Sequence, residues 1–346
     1  MADETPTPPA ALPWLTLLPW QQDAARAALS HRSSWPHALL IHGPRGIGKH
    51  ALALYFAQAL LCEAASTDGL PCGECAGCRY AVAGQHPDLM RLELVTIAPD
   101  DGTLEWVDTI SIDRVRGLTE FVHLTSHRQR AKVGVISPAE RMNTAAANAL
   151  LKTLEEPPDN TYLILVSDEP GRLMPTVLSR CRRLAAPVPT PADARVWLVA
   201  QGVGTPEEAM AQAAGAPLLA LAAADPTIVA ERRAWLAALA APERLSVQEL
   251  SARIDEGGKD ERKARLAHAL DWLTGWIADL ARVAAGAPAR HNPGAAQDLK
   301  RLASRVAPIE LFRYYRVLLQ QRALLVHPLQ PRLVALALLI DYRALF

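Results

Sequence analysis

Gly43-Pro44-Arg45-Gly46-Ile47-Gly48-Lys49 is the stretch on which the reading of this chain turns. It follows the apolar run His37-Ala38-Leu39-Leu40-Ile41-His42 and opens an Ala/Leu-rich segment with Leu52, Phe56 and Leu60 at helical spacing. Strand, glycine-rich turn and helix are the context that a phosphate-binding loop requires. Glycines let backbone N–H groups approach phosphate oxygens, and a lysine reaches the β- and γ-phosphates. Gly43, Gly48 and Lys49 supply those parts. The next residue should bring a hydroxyl to Mg²⁺; it is His50, and an imidazole is a poor ligand for a hard, oxygen-preferring cation.

A working phosphate site also takes a carboxylate from the end of a neighbouring strand. The matching segment, Val133-Gly134-Val135-Ile136-Ser137-Pro138-Ala139-Glu140, ends in Ser137-Pro138, and Glu140 lies past the required position. Phosphoryl transfer depends on metal and positioning, so hydrolysis of ATP in this site is not expected. Binding of nucleotide through Lys49 and the loop amides stays open, beside the reading that the turn serves only the fold.

Around the loop, strand and helix signals alternate. Residues 49–61 read as a helix, Asp113 is placed to cap a helix carrying Val115, Leu118 and Val122 on one face, and residues 132–137 read as a strand. Thr144 to Glu156 reads as a helix stopped by Pro157-Pro158, and Tyr162 to Ser167 as a further strand. Such alternation over about 150 residues argues for an α/β parallel sheet with helices on both faces. Beyond Pro187-Val188-Pro189 the β-branched runs cease. Thr190-Pro191 opens a helix ending near Gly202, and Thr205-Pro206-Glu207-Glu208 has the form of a capping box for a helix ending near Gly215. From about Ile228 the sequence reads as helical, interrupted near Gly257-Gly258 and between Gly286 and Pro293. In that part Trp272, Trp276, Tyr314 and Tyr315 read as core.

Bulk properties narrow the function. A length of 346 residues predicts two or three domains, and 50% apolar residues are ample for their cores. Lys+Arg and Asp+Glu balance at 36 each, so there is no overall pull toward nucleic acid or membrane. The first ten residues contain no apolar core of a signal peptide, and the longest apolar stretches fall short of the ~18 residues of a membrane helix. The expected location is the cytoplasm.

Four of the five cysteines fall between Cys62 and Cys78. The pattern Cys62, Cys72, Cys75, Cys78 supplies four thiolates, two of the spacings being CxxC, which suits a closed tetrahedral structural Zn²⁺. An iron–sulfur cluster of ferredoxin type would want a cysteine and a proline just after Cys78, where Ala81-Val82-Ala83 stands. Further along, Ser179-Arg180-Cys181 follows the last strand by a dozen residues. Alone it reads as a surface arginine in a run with Arg182 and Arg183. Downstream of a phosphate loop, Arg180 has the position of an arginine finger, which stabilises charge on a γ-phosphate held by an adjacent subunit.

Taken together these residues resemble the AAA+ clamp-loader family of bacterial DNA polymerase III. The stretches that carry the resemblance are Pro13-Trp14-Leu15, His37-Ala38-Leu39-Leu40, the cysteine module with His86-Pro87-Asp88, and Ser179-Arg180-Cys181. The most specific is the run from Ala145 through Asn148-Ala149-Leu150-Leu151-Lys152-Thr153-Leu154-Glu155-Glu156 to Pro158. Beyond about residue 230 only length and helical character match.

The resemblance implies an AAA+ core over 1–187 with a four-cysteine zinc module at 62–78, a helical lid over 188–229 and a helical collar for oligomerisation over 230–346. It implies a five-membered ring, with gamma/tau and delta subunits as partners, that places a sliding clamp on primed DNA. Such a ring belongs to a DNA-directed DNA polymerase, a nucleotidyltransferase. In it gamma/tau hydrolyses ATP, and a stator subunit without ATPase activity lends Arg180's counterpart to a gamma/tau site. Active members carry a lid arginine where Gly215-Ala216-Pro217-Leu218 has Leu218. The alternatives are an active gamma/tau-like ATPase and a zinc-stapled DNA-binding module.

Overall fold

A computed structural model describes residues 17–30, 34–97, 104–128, 130–325 and 330–346. The Pro13-Trp14-Leu15 stretch and the first ten residues lie outside them. The chain divides into two units, Met1–Asp193 and Ala194–Phe346.

In the first unit the order is α1 (Gln22–Leu29), β1 (Ala38–His42), α2 (Lys49–Leu61), α3 (Ala76–Val82), β2 (Leu89–Leu92), β3 (Val95–Ile97), β4 (Leu104–Trp106), α4 (Ile112–His123), β5 (Lys132–Ile136), α5 (Thr144–Glu155), β6 (Thr161–Ser167), α6 (Pro175–Leu178) and β7 (Arg182–Ala185); α7 (Pro191–Ala200) spans the boundary. Five strands form one sheet in the order β2-β5-β6-β1-β7, and every pair in it is parallel. β3 and β4 form a separate antiparallel pair.

Side chains alternate across the sheet, so β1 divides its residues between two cores. Leu39 and Ile41 pack with Ala25 and Leu29 of α1 and with Leu52 and Phe56 of α2. Ala38 and Leu40 face Leu118 and Val122 of α4 and Leu150 and Leu154 of α5. This is the expected sheet with helices on both faces. Each fully buried leucine contributes roughly 1.5–3 kcal/mol by leaving water. α4 lies so close to the sheet that a Cβ on Gly134 would come within 2.8 Å of Leu118 and 2.9 Å of Leu163, which explains a glycine inside a central strand.

Some local expectations are corrected. Ser111, in extended conformation, is the residue that precedes α4 and makes no side-chain cap bond, and Asp113 sits in the first helical turn, where its charge meets the positive end of the helix. Thr205 makes no side-chain cap bond to α8 (Pro206–Gln212): Pro206 starts the helix by its fixed φ, and Glu207 pairs with Arg195 at 3.2 Å. The arginine run after Arg180 is a strand, since Arg182–Ala185 lies beside β1 as the sheet edge.

The second unit is helical among its described residues. α8 and α9 (Pro217–Ala223) surround a small core of Leu198, Val203, Ala209 and Ala220. A larger core joins α10 (Pro226–Ala240), α11 (Val247–Ala252), α12 (Lys259–Ala284), α13 (Ala296–Ala303), α14 (Pro308–Leu324) and α15 (Pro331–Arg343). Trp276 and Tyr314 are buried in it, whereas Trp272 and Tyr315 only line it. Trp276 Nε1 donates to Tyr342 Oη at 2.9 Å, and that hydroxyl donates to the Leu239 carbonyl at 2.6 Å. Asp279, fully buried on α12, accepts from the backbone N–H groups of Arg290, His291 and Asn292 and so fixes the connection into α13. Among the described residues no helix is long and apolar enough to cross a membrane.

Candidate functional site

The phosphate loop connects β1 to α2, at the carboxyl ends of the parallel strands where α/β sheets bind ligands. Gly43, Gly46 and Gly48 all have positive φ. Gly48 is required twice, by its φ of 91° and because a Cβ there would meet Leu18 Cδ1 at 2.2 Å. The segment before α1 braces the loop from outside. Gln21 Nε2 donates to the carbonyls of Ile47 at 3.2 Å and Gly48 at 2.9 Å, and Trp20 Nε1 donates to Ile47 at 3.0 Å.

Lys49 is 4% exposed, and its ammonium is held inside the protein. Nζ donates to the Pro44 carbonyl at 2.6 Å and pairs with Asp168 Oδ1 at 2.5 Å. Asp168 follows β6 directly, and the register of His42 beside Ser167 brings it to the loop. Its backbone N–H donates to Glu140 Oε1 at 3.1 Å. Glu140 sits in the turn Ala139–Arg141 beyond the Ser137-Pro138 end of β5, and its Oε2 is buried without a hydrogen-bond partner.

His50 stands 3.6 Å from Glu93 Oε1, a carboxylate that follows β2. Burial pushes the imidazole below its ordinary pKa, against the upward pull of Glu93. The Mg²⁺ position therefore carries a ring nitrogen whose neighbouring acid is already shared with Arg91 at 3.6 Å. These residues do not fit a magnesium–nucleotide complex: the lysine is engaged, the hydroxyl is missing and β5 ends without a carboxylate.

The cysteine module hangs from the C-terminus of α2. Cys62 ends that helix and Cys75 caps α3, accepting the N–H of Cys78 at 3.3 Å. The four sulfur atoms of Cys62, Cys72, Cys75 and Cys78 all lie within 4.8 Å of one another. The Cys62–Cys75 and Cys72–Cys78 separations are both 3.9 Å. Tetrahedral zinc with bonds of ~2.3 Å would set such separations near ~3.8 Å, so the donor set fits that ion. Burial pushes the Cys62 and Cys78 thiols up. Burial also opposes ionisation of Cys75, but N–H donation from Cys78 and Glu63 outweighs it and lowers that thiol to about 6.

Asp88 fastens this module to the sheet. Its fully buried carboxylate accepts from Ser126 Oγ at 3.1 Å, His127 N at 2.8 Å and Arg128 N at 3.0 Å. Arg128 in turn pairs with Glu63 beside Cys62 and lies over the Tyr80 ring.

Arg180 lies in the turn between α6 and β7, about one-third exposed. Nη2 pairs with Glu155 Oε1 at 2.5 Å, and Nη1 donates to the Thr176 carbonyl at 2.9 Å. Its neighbour Cys181 is buried, which pushes that thiol up to about 11. Leu218 is on α9 in the second unit.

The structure thus brings Gly43, Gly48 and Lys49 into one loop and the four cysteines into one cluster. Sequence reasoning missed Asp168, Glu93 and Glu155. The rule that ligands meet the carboxyl ends of parallel strands would have found the first two once the strand order was known.

A family model described as "DNA polymerase III, delta subunit" matches residues 25–189. DNA polymerase III subunit delta' of Pseudomonas aeruginosa is 37% identical over 280 residues, 77% of each chain. The protein of the same name from Haemophilus influenzae is 34% identical over 247 residues, 70% of each chain. DNA polymerase III subunit tau of Escherichia coli is 34% identical over 145 residues, 42% of this chain and 20% of that one. Among solved structures, a DNA polymerase III gamma subunit-related protein from Thermotoga maritima covers 93% of this chain and 99% of its own at 17% identity, with a TM-score of 0.45. With more than two-thirds of the Pseudomonas and Haemophilus proteins matched above 30% identity, the chain belongs to the family of DNA polymerase III delta' subunits.

Proposed function

We propose that this chain is a clamp-loader subunit that hydrolyses no ATP itself and lends Arg180 to an ATP site on a neighbouring gamma/tau subunit. One observation carries the reading. The elements that act within the chain are lost or engaged, namely His50, Ser137-Pro138 and the Lys49–Asp168 pair, while Arg180 stands about one-third exposed in the turn after α6. Its guanidinium is paired with Glu155 and bonded to the Thr176 carbonyl, and in this reading a neighbour's phosphate takes the place of these acceptors. The partners in this reading are gamma/tau and delta subunits, and the assembled ring acts on a sliding clamp and primed DNA. The three-part division at 187 and 229 goes with it: core, lid and collar. The lid's Leu218, in place of an arginine, removes one more contact to a nucleotide of its own.

The four cysteines hold a structural Zn²⁺ in this reading. Four thiolates close its coordination shell, so the ion anchors the module and supplies no chemistry.

The test is a reconstituted clamp loader containing Arg180→Ala, assayed for ATPase stimulated by clamp and primed DNA. An arginine finger is worth roughly 10³-fold or more at its site, so that site's share of turnover should disappear while ring assembly by size exclusion is unchanged. An ATPase rate equal to that of the wild-type ring rejects the role, and magnesium-dependent ATPase by the isolated chain rejects the stator reading altogether.

A further inference from the structure

We infer that Asp168 is a built-in counter-anion that fills the role of a phosphate for Lys49, so that the loop keeps its shape and turns polyphosphate away. The inference deepens the stator reading at its phosphate loop, and it does not involve Arg180. A buried ammonium needs a partner, because leaving it unpaired is strongly destabilising. In a nucleotide site the phosphates provide that partner; here Asp168 does, at 2.5 Å, with the Pro44 carbonyl as second acceptor at 2.6 Å.

Asp168 is itself held in place. It leaves β6 beside β1, and its own N–H is tied to Glu140. Its side chain is one-third exposed, at the open side of the loop, whereas that of Lys49 is 3% exposed. A triphosphate entering the loop would have to draw Lys49 off both acceptors and then lie against a free carboxylate. Further acids stand close by: Glu140 behind Asp168, and Glu93 beside His50. Without a hydroxyl ligand at position 50 or a carboxylate ending β5, the loop offers no good seat for the magnesium that would neutralise this repulsion.

A second feature keeps the loop folded with no ligand. Gln21 and Trp20 donate three side-chain bonds to the carbonyls of Ile47 and Gly48. The loop is therefore satisfied from outside by the preceding segment and from inside by Asp168.

The experiment measures binding of a fluorescent ATP analogue to the full chain, with and without Mg²⁺, for the wild type, Asp168→Asn and Asp168→Ser. Either substitution removes the negative charge and keeps the backbone N–H that holds Glu140. Two like charges ~4 Å apart near a protein surface correspond to roughly 10³-fold in binding, so a gain of at least about 30-fold is expected after relaxation. That gain should vanish in Asp168→Asn/Lys49→Ala. Equal affinities in the wild type and both folded variants overturn the inference, as does tight binding by the wild type.

A measurement on the wild type alone stands if the variants do not fold. Lys49 should be acylated far more slowly than the exposed Lys152 and Lys300, and millimolar ATP should leave its rate unchanged; fast acylation slowed by ATP overturns the inference. Failure here leaves the Arg180 test untouched, and the reverse also holds, so the two readings fall separately.

Discussion

Replacing Asp88 by asparagine tests how the cysteine module is fastened to the sheet. The carboxylate is fully buried, with three hydrogen-bond donors and Lys132 Nζ at 3.6 Å. Lys132 is itself buried, its Nζ has no hydrogen-bond partner, and it otherwise rests 4.0 Å over the Phe121 ring. Asp88→Asn removes the charge, turns an acceptor into a donor facing the N–H groups of the 126–128 turn and strands the ammonium. Breaking a buried pair from one side costs about 3–5 kcal/mol, and asparagine keeps one acceptor, so about 3–4 kcal/mol is expected. The double variant Asp88→Asn/Lys132→Met should recover at least half of that, since no buried charge is then left behind.

The pH dependence follows from the direction of the shift. Burial raises the Asp88 pKa, but the N–H groups of His127 and Arg128, the Ser126 hydroxyl and Lys132 together hold it below the usual carboxylate value. A carboxyl depressed in the folded state adds stability that is fully present above its unfolded pKa, about 4, and is lost as pH falls through the folded value. The gap between wild type and Asp88→Asn should therefore be widest near neutral pH and shrink below about pH 4. Urea unfolding gives the energies, and hydrogen exchange at the His127 and Arg128 amides gives a local reading of the same event. A cost under about 1 kcal/mol, or a double variant as unstable as the single one, would refute the assignment of Asp88 and Lys132 as a buried pair.

Purified chain should carry about one zinc by elemental analysis. Cys62→Ser, which removes a buried donor, should lose the metal and lower the melting temperature, and full metal retention would count against the four-thiolate centre. In the second unit, Tyr342→Phe leaves both Trp276 Nε1 and the Leu239 carbonyl without a buried partner, at a cost of about 2–4 kcal/mol in urea unfolding. An unchanged midpoint there would show that the hydroxyl is not the link between α12 and α10.

What could be read in the sequence was local. Glycines before a lysine at a strand–helix junction, and four cysteines within one turn-rich stretch, depend on neighbours in the chain, and both came together as read. The paired residues could not be read that way. Asp168 lies far from Lys49 in sequence, and only the parallel register of β1 with β6 makes them neighbours. Glu155 and Arg180 meet because α5 and the turn after α6 end at the same place. β7 was illegible for a different reason. It is an edge strand with two exposed arginines, so the pattern that marks a buried strand is missing and only its ladder with β1 defines it.

The retained loop glycines and lysine then have a physical explanation that requires no nucleotide. Gly48 cannot be replaced without a clash with Leu18 and a strained φ, whether or not phosphate ever binds. Loss of Lys49 would empty a buried position and leave the partly exposed Asp168 carboxylate without its counter-ion. His50, whose ring stands 3.6 Å from Glu93, brings no hydroxyl to the loop. The Lys49–Asp168 pair thus gives the lysine a part in the fold with no ligand bound.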